Sequence, residues 1–240
     1  MRILFVRHGD PDYTTDSLTE KGKREVKFLA ERAKNWNVQD IYVSCLGRAR
    51  ETARSIEEAL GKEAAVLDWL QEFRGVISSE YTTDKGLPWD FMPREWTGIP
   101  ELFDRDRWYD AHMMEKTEDA PGVKEIYLET CEKLDELLAG YGYVRENGCY
   151  RVKEKKDITI VLVCHMGITF AMLSYLLGIA FPVLIHGCFL PTSSVTAMCT
   201  EEREAGYASF RCQGMGDVWH LHENKEPISA AGYFTEPFQD

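Results

Sequence analysis

The chain has 240 residues, of which 44% are hydrophobic and 28% are charged, and its formal net charge is −12. This length and composition are typical of a globular protein with one large domain or two small ones. Nucleic acids and anionic membranes bind basic surfaces, so the negative charge argues against both as partners. A small anionic substrate stays compatible, because a local cluster of Arg and His sets the field inside a pocket.

The cysteines and the apolar runs indicate where the protein resides. The seven cysteines form no CxxC pair and no Cys/His ligand spacing, which predicts reduced thiols and no zinc site. The N-terminal apolar run is too short for a signal peptide and ends in charge. The run 170–185 is shorter than the roughly 20 residues of a membrane span and contains Gly and Pro. We therefore expect a cytosolic protein.

The first predicted strand ends in three residues suited to chemistry. Residues 3–6 are apolar, β-branched and aromatic, which predicts a buried central strand, and Arg7, His8 and Gly9 follow it. Ligands bind just past the carboxyl ends of strands in open α/β sheets. A cation, an imidazole and a flexible glycine there suit the binding and attack of an anion. An ordinary polar strand end is an equally compatible interpretation of the tripeptide alone.

Strands and helices alternate through the first 70 residues. Thr19 is predicted to cap a helix, residues 41–44 form a second strand, and a further helix begins near Arg48 and stops at Gly61. Residues 65–70 are expected to form a third strand. This alternation predicts βαβ units and a largely parallel sheet.

The stretch 76–121 lacks clear periodicity and is rich in aromatic residues and prolines. So long an irregular segment in a compact domain is usually a functional lid or a disordered region. Its high aromatic content argues against a disordered region. We interpret it as an insertion that folds over the site, while a surface subdomain with its own small core fits the sequence equally well.

The C-terminal half begins with a predicted amphipathic helix over residues 123–138. A β-hairpin with an Asn-Gly turn is expected over residues 143–152. Residues 158–163 give the strongest strand signal in the chain and lead through His165 into an apolar helix that Gly178 closes. Three closing strands are expected, over residues 194–199, 207–212 and 218–221.

Four candidate functional residues follow predicted strands. His8 and His165 each come after a buried strand, Arg48 stands at a strand–helix junction, and Glu72 follows the third predicted strand. A lone histidine at a strand end is more often structural than catalytic. Because the carboxyl ends of parallel strands meet at one edge, the four together predict an active site there.

The ordered motifs resemble the histidine phosphatase superfamily, in the group related to phosphoglycerate mutase. Arg7-His8-Gly9 matches the defining motif of that family, at the end of the first strand. The resemblance spans most of the chain and leaves the insertion unmatched. The further matches, in chain order, are Leu18-Thr19 with Gly22; Ser44, Leu46, Arg48, Ala49, Thr52 and Ala53; Leu70-Gln71-Glu72 with Gly75; His165 with Gly167; and residues 192–196.

The resemblance implies the architecture of the whole chain. It implies a three-layer αβα sandwich with a mostly parallel mixed sheet, like that of phosphoglycerate mutase. Residues 1–240 then form a single domain, in which residues 76–121 are an inserted lid or cap.

The resemblance also implies catalytic roles for His8, Glu72 and His165. His8 attacks phosphorus and forms a phosphohistidine, and Glu72 protonates the leaving group and then activates water. Arg7, Arg48 and His165 bind phosphate, and Thr14 stands where many relatives have a polar residue that contacts phosphate. Two arginines and a histidine supply the positive charge, so no metal or other cofactor is expected.

Departures from the family pattern bear on the choice of reaction. Pro11 stands where the mutases have Ser, and Met166 replaces the usual small residue after the second histidine. His165 is not followed by the acid of the phytase-like branch, which leaves Glu72 as the acid candidate.

Three functions are compatible with these motifs and with the departures from the family pattern. The first is a metal-independent phosphatase acting on a small phosphorylated metabolite. The second is a cofactor-dependent mutase of the phosphoglycerate type, which the aromatic and acidic insertion disfavours, because the mutases carry basic segments there. The third is a non-catalytic module that binds a phospho-ligand or a protein. The sequence specifies neither the substrate nor the oligomeric state.

Overall fold

The computed structural model describes residues 1–77, 79–82, 86–115 and 121–239. Its strands are β1 (Arg2–Arg7), β2 (Pro11–Asp12), β3 (Ser17–Leu18), β4 (Val38–Val43), β5 (Ala64–Val66), β6 (Tyr143–Glu146), β7 (Cys149–Val152), β8 (Thr159–Cys164), β9 (Val195–Glu204) and β10 (Tyr207–Asp217). Its α-helices are α1 (Glu20–Ala33), α2 (Gly47–Leu60), α3 (Pro93–Trp96), α4 (Val123–Gly140), α5 (Met166–Leu177), α6 (Phe181–Gly187) and α7 (Trp219–Glu223).

Eight strands form one mixed sheet in the order β5-β4-β8-β1-β9-β10-β7-β6, and β2 pairs with β3 separately. The four strands from β5 to β1 are parallel to one another. The remaining pairings that the described residues make in this sheet are antiparallel. Tight turns join β9 to β10 and β6 to β7, and such turns permit only antiparallel pairing. The expected α/β class is confirmed, with a smaller parallel part than the sequence predicts.

Helices cover both faces of the sheet, because β1 and β8 are apolar on both sides. Ile3 and Phe5 of β1 belong to the core shared with α4, α5 and α6. Leu4 and Val6 point the other way, into the core shared with α1 and α2. Alternate residues of a strand face opposite sides of a sheet. The predicted helix–sheet–helix layering is therefore present.

Several local signals in the sequence have the expected structural effect. The Thr19 hydroxyl accepts a hydrogen bond from the amide three residues on, and so caps α1. Gly61 and Gly178 end α2 and α5 in the left-handed conformation. Asn147 and Gly148 have φ values of 49° and 85°, as a type I′ hairpin turn requires.

One of the expected strands is shorter than predicted, and another is wrong. Strand β5 ends at Val66, and Asp68–Leu70 is a 3₁₀ turn, because β5 is an edge strand that pairs over only three residues. Residues 218–221 are not a strand, because β10 continues to Asp217. The Asp217 carboxylate accepts a hydrogen bond from the amide of Trp219, the first residue of α7, at 3.1 Å.

The apolar run 170–185 is divided between α5 and α6. Among the described residues, no helix combines the length and apolar character needed to cross a membrane.

The insertion 76–121 packs against the main core in its described part. Residues 78, 83–85 and 116–120 lie outside the described residues. The Trp108 side chain is fully buried, and its ring centroid lies 4.8 Å from that of Tyr127 on α4 and 5.2 Å from that of Phe181 on α6. Phe91, Leu102 and Trp108 belong to the same apolar cluster as strand β1. The described insertion shares the core of the domain, whereas the sequence left open a separate small core.

We expect Trp108→Ala to lower the free energy of unfolding by about 3–5 kcal/mol, because it empties a site that the core cannot refill. Urea denaturation followed by fluorescence measures this change. Trp219, whose side chain is 62% exposed, supplies the control. Trp219→Ala is expected to change the free energy of unfolding by less than about 0.5 kcal/mol. Similar values for the two variants would contradict a shared core.

Candidate active site

Three parallel strands end together at one edge of the sheet and bring two histidines into contact. Beyond β1, the His8 amide donates to the Cys164 carbonyl at 3.0 Å. Beyond β4, the Ser44 amide donates to the Val163 carbonyl at 3.0 Å. The rings of His8 and His165 consequently lie 5.0 Å apart between centroids, with 56° between their planes. The structure therefore brings together the two histidines that the sequence singled out.

The imidazole of His8 is held in one tautomer. Its Nδ1 lies 2.8 Å from the Gly9 carbonyl oxygen, so Nδ1–H donates and Nε2 keeps its lone pair. The Gly9 amide donates to the Thr52 hydroxyl at 3.0 Å. A Cβ at position 9 would lie 2.8 Å from Val26 and 3.0 Å from the Gly22 carbonyl oxygen, so a glycine lets the chain after β1 approach α1 this closely.

His165 is fully buried and presents one ring nitrogen without a partner. Its Nε2 lies 2.8 Å from the Ser44 hydroxyl, while Nδ1 makes no hydrogen bond within the described part of the chain. Burial lowers the pKa of His165 well below its usual value, and the neighbouring His8, Arg48 and Arg7 add to this effect. His165 is therefore neutral at pH 7 in this structure.

Burial also lowers the pKa of His8 well below its usual value, and the positive charges of Arg7 and Arg48 lower it further. The hydrogen bond to the Gly9 carbonyl opposes these effects. His8 is accordingly neutral across the physiological pH range. A neutral imidazole with a free Nε2 is the nucleophilic form of histidine.

Arg7 is a buried cation at the end of β1, with 4% of its surface exposed. Its Nη1 donates to the Leu190 carbonyl at 2.5 Å, and its guanidinium carbon lies 5.4 Å from the centroid of the Phe189 ring. Its Nε is buried and has no hydrogen-bond partner among the residues described. Burial lowers the pKa of Arg7, while Tyr13 and Glu72 oppose that shift.

Arg48 lies in the first turn of α2 and points toward the same site. Its Nη1 donates to the Asp16 carboxylate, and its guanidinium carbon lies 5.4 Å from the centroid of the Tyr13 ring. Its Nε is buried and, like that of Arg7, has no hydrogen-bond partner in the described ranges. Two arginines that each keep an unpaired buried N–H suit the binding of a tetrahedral anion.

Glu72 approaches the site from the turn that follows β5. Its Oε1 accepts hydrogen bonds from the amides of Phe73 at 2.8 Å and Ile168 at 3.2 Å. A Cβ on Gly167 would lie 2.7 Å from this oxygen, so the glycine leaves room for the carboxyl group. Burial raises the pKa of Glu72, while the Phe73 amide and Arg7 oppose that shift.

Thr14 lies apart from the other five predicted site residues. Its side chain is exposed, and its hydroxyl and amide both donate to the Asp12 carboxylate, at 2.6 Å and 2.9 Å. Within the described part of the chain, Thr14 forms no hydrogen bond with the arginines or the histidines. Its predicted phosphate contact stays a prediction.

Sequence reasoning missed two residues of the same loop, Tyr13 and Asp16. Both contact Arg48, yet in the sequence they resemble solvated loop residues.

A third residue that sequence reasoning missed is Glu25, which is fully buried on α1. Its carboxylate accepts from the Asp10 amide at 2.9 Å and from the Thr192 hydroxyl at 3.1 Å, and burial raises its pKa to about 7. In the sequence, the position of this acidic residue on the buried face of a predicted helix is the feature that could have identified it.

Two further segments border the site. The insertion reaches it through Trp89, because a Cβ on Gly167 would lie 3.1 Å from the Trp89 ring. The C-terminal residues reach it from the other side, where a Cβ on Gly232 would lie 3.4 Å from Arg7 Nη2. The Tyr233 and Phe189 rings lie 3.6 Å apart between centroids. Trp89 of the insertion thus lies beside Gly167, and the C-terminal residues lie beside Arg7.

Comparison with protein families places most of the chain in one of them. Residues 3–212 match the model of the histidine phosphatase superfamily (branch 1). A curated relative is the probable phosphoglycerate mutase GpmB of Enterobacter sp. (strain 638), which is 29% identical over 102 residues. That alignment covers 37% of this chain and 47% of the relative. The chain thus spans about half the length of the curated relatives it matches.

Solved structures share the fold over nearly the whole chain. One is a phosphoserine phosphatase variant from Entamoeba histolytica in complex with phosphoserine, with a TM-score of 0.61, 18% identity, and coverage of 92% of this chain and 98% of that one. Another is a mycobacterial glucosyl-3-phosphoglycerate phosphatase, with a TM-score of 0.60, 19% identity, and coverage of 90% and 98%. At these identities the likeness concerns the fold alone.

Proposed function

This chain belongs to branch 1 of the histidine phosphatase superfamily, and from this premise we propose that it hydrolyses a small phosphorylated metabolite without a metal ion. The phosphoryl group passes through a phosphohistidine on His8. The observation that carries this proposal is the state of His8, which is neutral, bound through Nδ1 to the Gly9 carbonyl, and without a hydrogen bond at Nε2 among the described residues.

In this proposal Arg7 and Arg48 bind the phosphate of the substrate. Each has a buried Nε without a partner among the described residues, and each can add a second N–H in a two-pronged contact. The bound dianion favours the protonated form of His165, since a nearby negative charge raises the pKa of an imidazole. His165 then donates a further hydrogen bond to the phosphoryl oxygens.

The reaction transfers the phosphoryl group from the substrate to His8 and then from His8 to water. The Nε2 lone pair attacks phosphorus in line while the bond to the leaving oxygen breaks. Glu72 gives its proton to that leaving oxygen, and its raised pKa supports this acid role. The carboxylate of Glu72 then takes a proton from water as the water oxygen attacks phosphorus. The P–N bond breaks, and phosphate and neutral His8 are released.

We assign Thr14 an outer contact with the substrate phosphate. Its loop supports this role, because Tyr13 and Asp16 on either side of it both contact Arg48. We further propose that the insertion 76–121 is a cap that selects the substrate, since Trp89 lies beside the residues that hold Glu72.

The substrate class and the compartment are part of the same proposal. Solved structures of the same fold include phosphatases of phosphoserine and of glucosyl-3-phosphoglycerate, which supports a small phosphorylated substrate. The net charge of −12 supports the absence of nucleic acid as a partner. All seven cysteines are free thiols, which supports a cytosolic location.

A mutase is the second candidate, because the matching curated relatives carry the name probable phosphoglycerate mutase. A mutase returns the phosphoryl group from histidine to the substrate in place of water. The composition of the insertion opposes this candidate, because it carries acidic residues, among them Glu101, Asp104 and Asp106, in the segment where mutases of this family carry basic ones. Assays with phosphoglycerate separate mutase from phosphatase activity.

Hydrolysis of an aryl phosphate in excess EDTA tests the proposed function. We expect the wild-type protein to release phosphate under these conditions and His8→Ala to lower kcat by at least about 10³-fold, because the nucleophile is lost. His222→Ala is the control, since that side chain is exposed. Activity that EDTA abolishes, or that survives in His8→Ala, would contradict the proposal. Inactivity of the wild type toward this substrate and toward phosphoglycerate would favour a binding module.

The acid role of Glu72 predicts a dependence on the leaving group. We expect Glu72→Gln to lower kcat/KM, which reports only the steps up to formation of the phosphohistidine, about 10²–10⁴-fold for alkyl phosphates, whose leaving oxygens need a proton. The loss should be much smaller for p-nitrophenyl phosphate, whose leaving group departs unprotonated. For alkyl phosphates, kcat/KM of the wild type should fall as pH rises through the raised pKa of Glu72. This fall should be absent in Glu72→Gln. Equal losses with both substrates would contradict the role.

A further inference from the structure

Asp16 joins the guanidinium of Arg48 to the first backbone amide of α2. One oxygen of its carboxylate accepts from Arg48 Nη1, and the other accepts from the Gly47 amide at 2.6 Å. The Asp16 side chain is 41% exposed, whereas that of Arg48 is 11% exposed. The carboxylate therefore contacts the arginine from the solvent side of the site.

Both sides of this contact have a backbone that is suited to it. Asp16 has a φ of 50°, which places it in the left-handed region within the turn that joins β2 to β3. A Cβ on Gly47 would lie 2.1 Å from the Asp16 carbonyl oxygen, so only glycine permits this approach. The Leu18 amide donates to the Glu51 carboxylate at 2.9 Å and ties the same loop to α2. Asp16 is thus fixed by groups other than Arg48.

The contact determines which edge of Arg48 faces the interior. A guanidinium has five N–H donors in a rigid planar fork. Asp16 accepts from Nη1, and the guanidinium carbon lies 5.4 Å from the centroid of the Tyr13 ring. The buried Nε keeps its donor without a partner in the described residues. Nε and Nη2 together form the edge that makes a two-pronged contact with phosphate.

We propose that Asp16 is a positioning residue that turns the Nε edge of Arg48 toward the phosphate. This inference rests on the proposed function, because it assumes that phosphate binds at Arg48. Asp16 acts through Arg48 and does not touch the substrate.

A carboxylate beside an arginine has a second interpretation, in which it occupies the place of the phosphate and competes with it. The two roles predict opposite effects of removing the negative charge of Asp16. Asp16→Asn is the suitable variant, because its amide oxygen still accepts from the Gly47 amide and preserves the loop. Its NH₂ group, however, cannot accept a hydrogen bond from Arg48.

The test is a double-mutant cycle on the binding of inorganic phosphate, measured by isothermal titration calorimetry. The proteins are the wild type, Asp16→Asn, Arg48→Ala and the double variant, and thermal melting confirms that each is folded. Asp157→Asn is the matched control. It removes the carboxylate of an ion pair with Arg2, at 2.8 Å, in which Asp157 is 84% exposed.

We expect Asp16→Asn to weaken phosphate binding about tenfold, and to have no further effect in the Arg48→Ala background. The control should bind phosphate like the wild type. Tighter binding by Asp16→Asn would overturn the proposal and identify Asp16 as a competitor. An equal loss in both backgrounds would overturn it too, because Asp16 would then act on the fold. If the wild type binds phosphate and Asp16→Asn binds it equally well, only the role of Asp16 is rejected. A wild type that binds no phosphate rejects the proposed function itself.

Discussion

The parallel pairing of β1 with β8 is the constraint on which the rest of the site depends. In this register Arg7 lies opposite Cys164, so the two strands end together. His8 and His165 follow directly and meet, and β4 on the far side of β8 brings Ser44 to the second ring. A shift by one residue would turn each side chain to the other face of the sheet. The apolar residues that fix the register thus also assemble the site.

The charges of the site follow from this enclosure. Arg7 is buried and Arg48 nearly so, and both lie beside two imidazoles from which water is excluded. Their positive charges and the burial together keep His8 neutral, which is the form a nucleophile requires. The Nε–H groups of Arg7 and Arg48, which have no partner in the part of the chain that the structure describes, leave a place for an anion within a chain whose net charge is −12. A pair of buried or nearly buried arginines on an acidic protein is therefore the physical basis of the proposed substrate class.

Much of this arrangement could be predicted from the sequence, because it depends on local patterns. Apolar runs that stop at Arg7-His8 and at His165 predict strands with functional ends, and both strands are present. Glu72 follows a 3₁₀ turn in place of the expected strand, and its contact with the start of α5 arises only in the folded chain. Asp16 reaches Arg48 across the fold, and Trp108 joins the insertion to the main core. No periodicity encodes such long-range contacts.

The most direct test of the account is the identity of the phosphorylated residue. Brief reaction with a ³²P-labelled substrate, followed by denaturation, traps the intermediate for mapping by proteolysis and mass spectrometry. The account predicts a label on His8 that is lost in acid, stable in base, and absent from His8→Ala. A label that is stable in acid, that maps to another residue, or that persists in His8→Ala would contradict it.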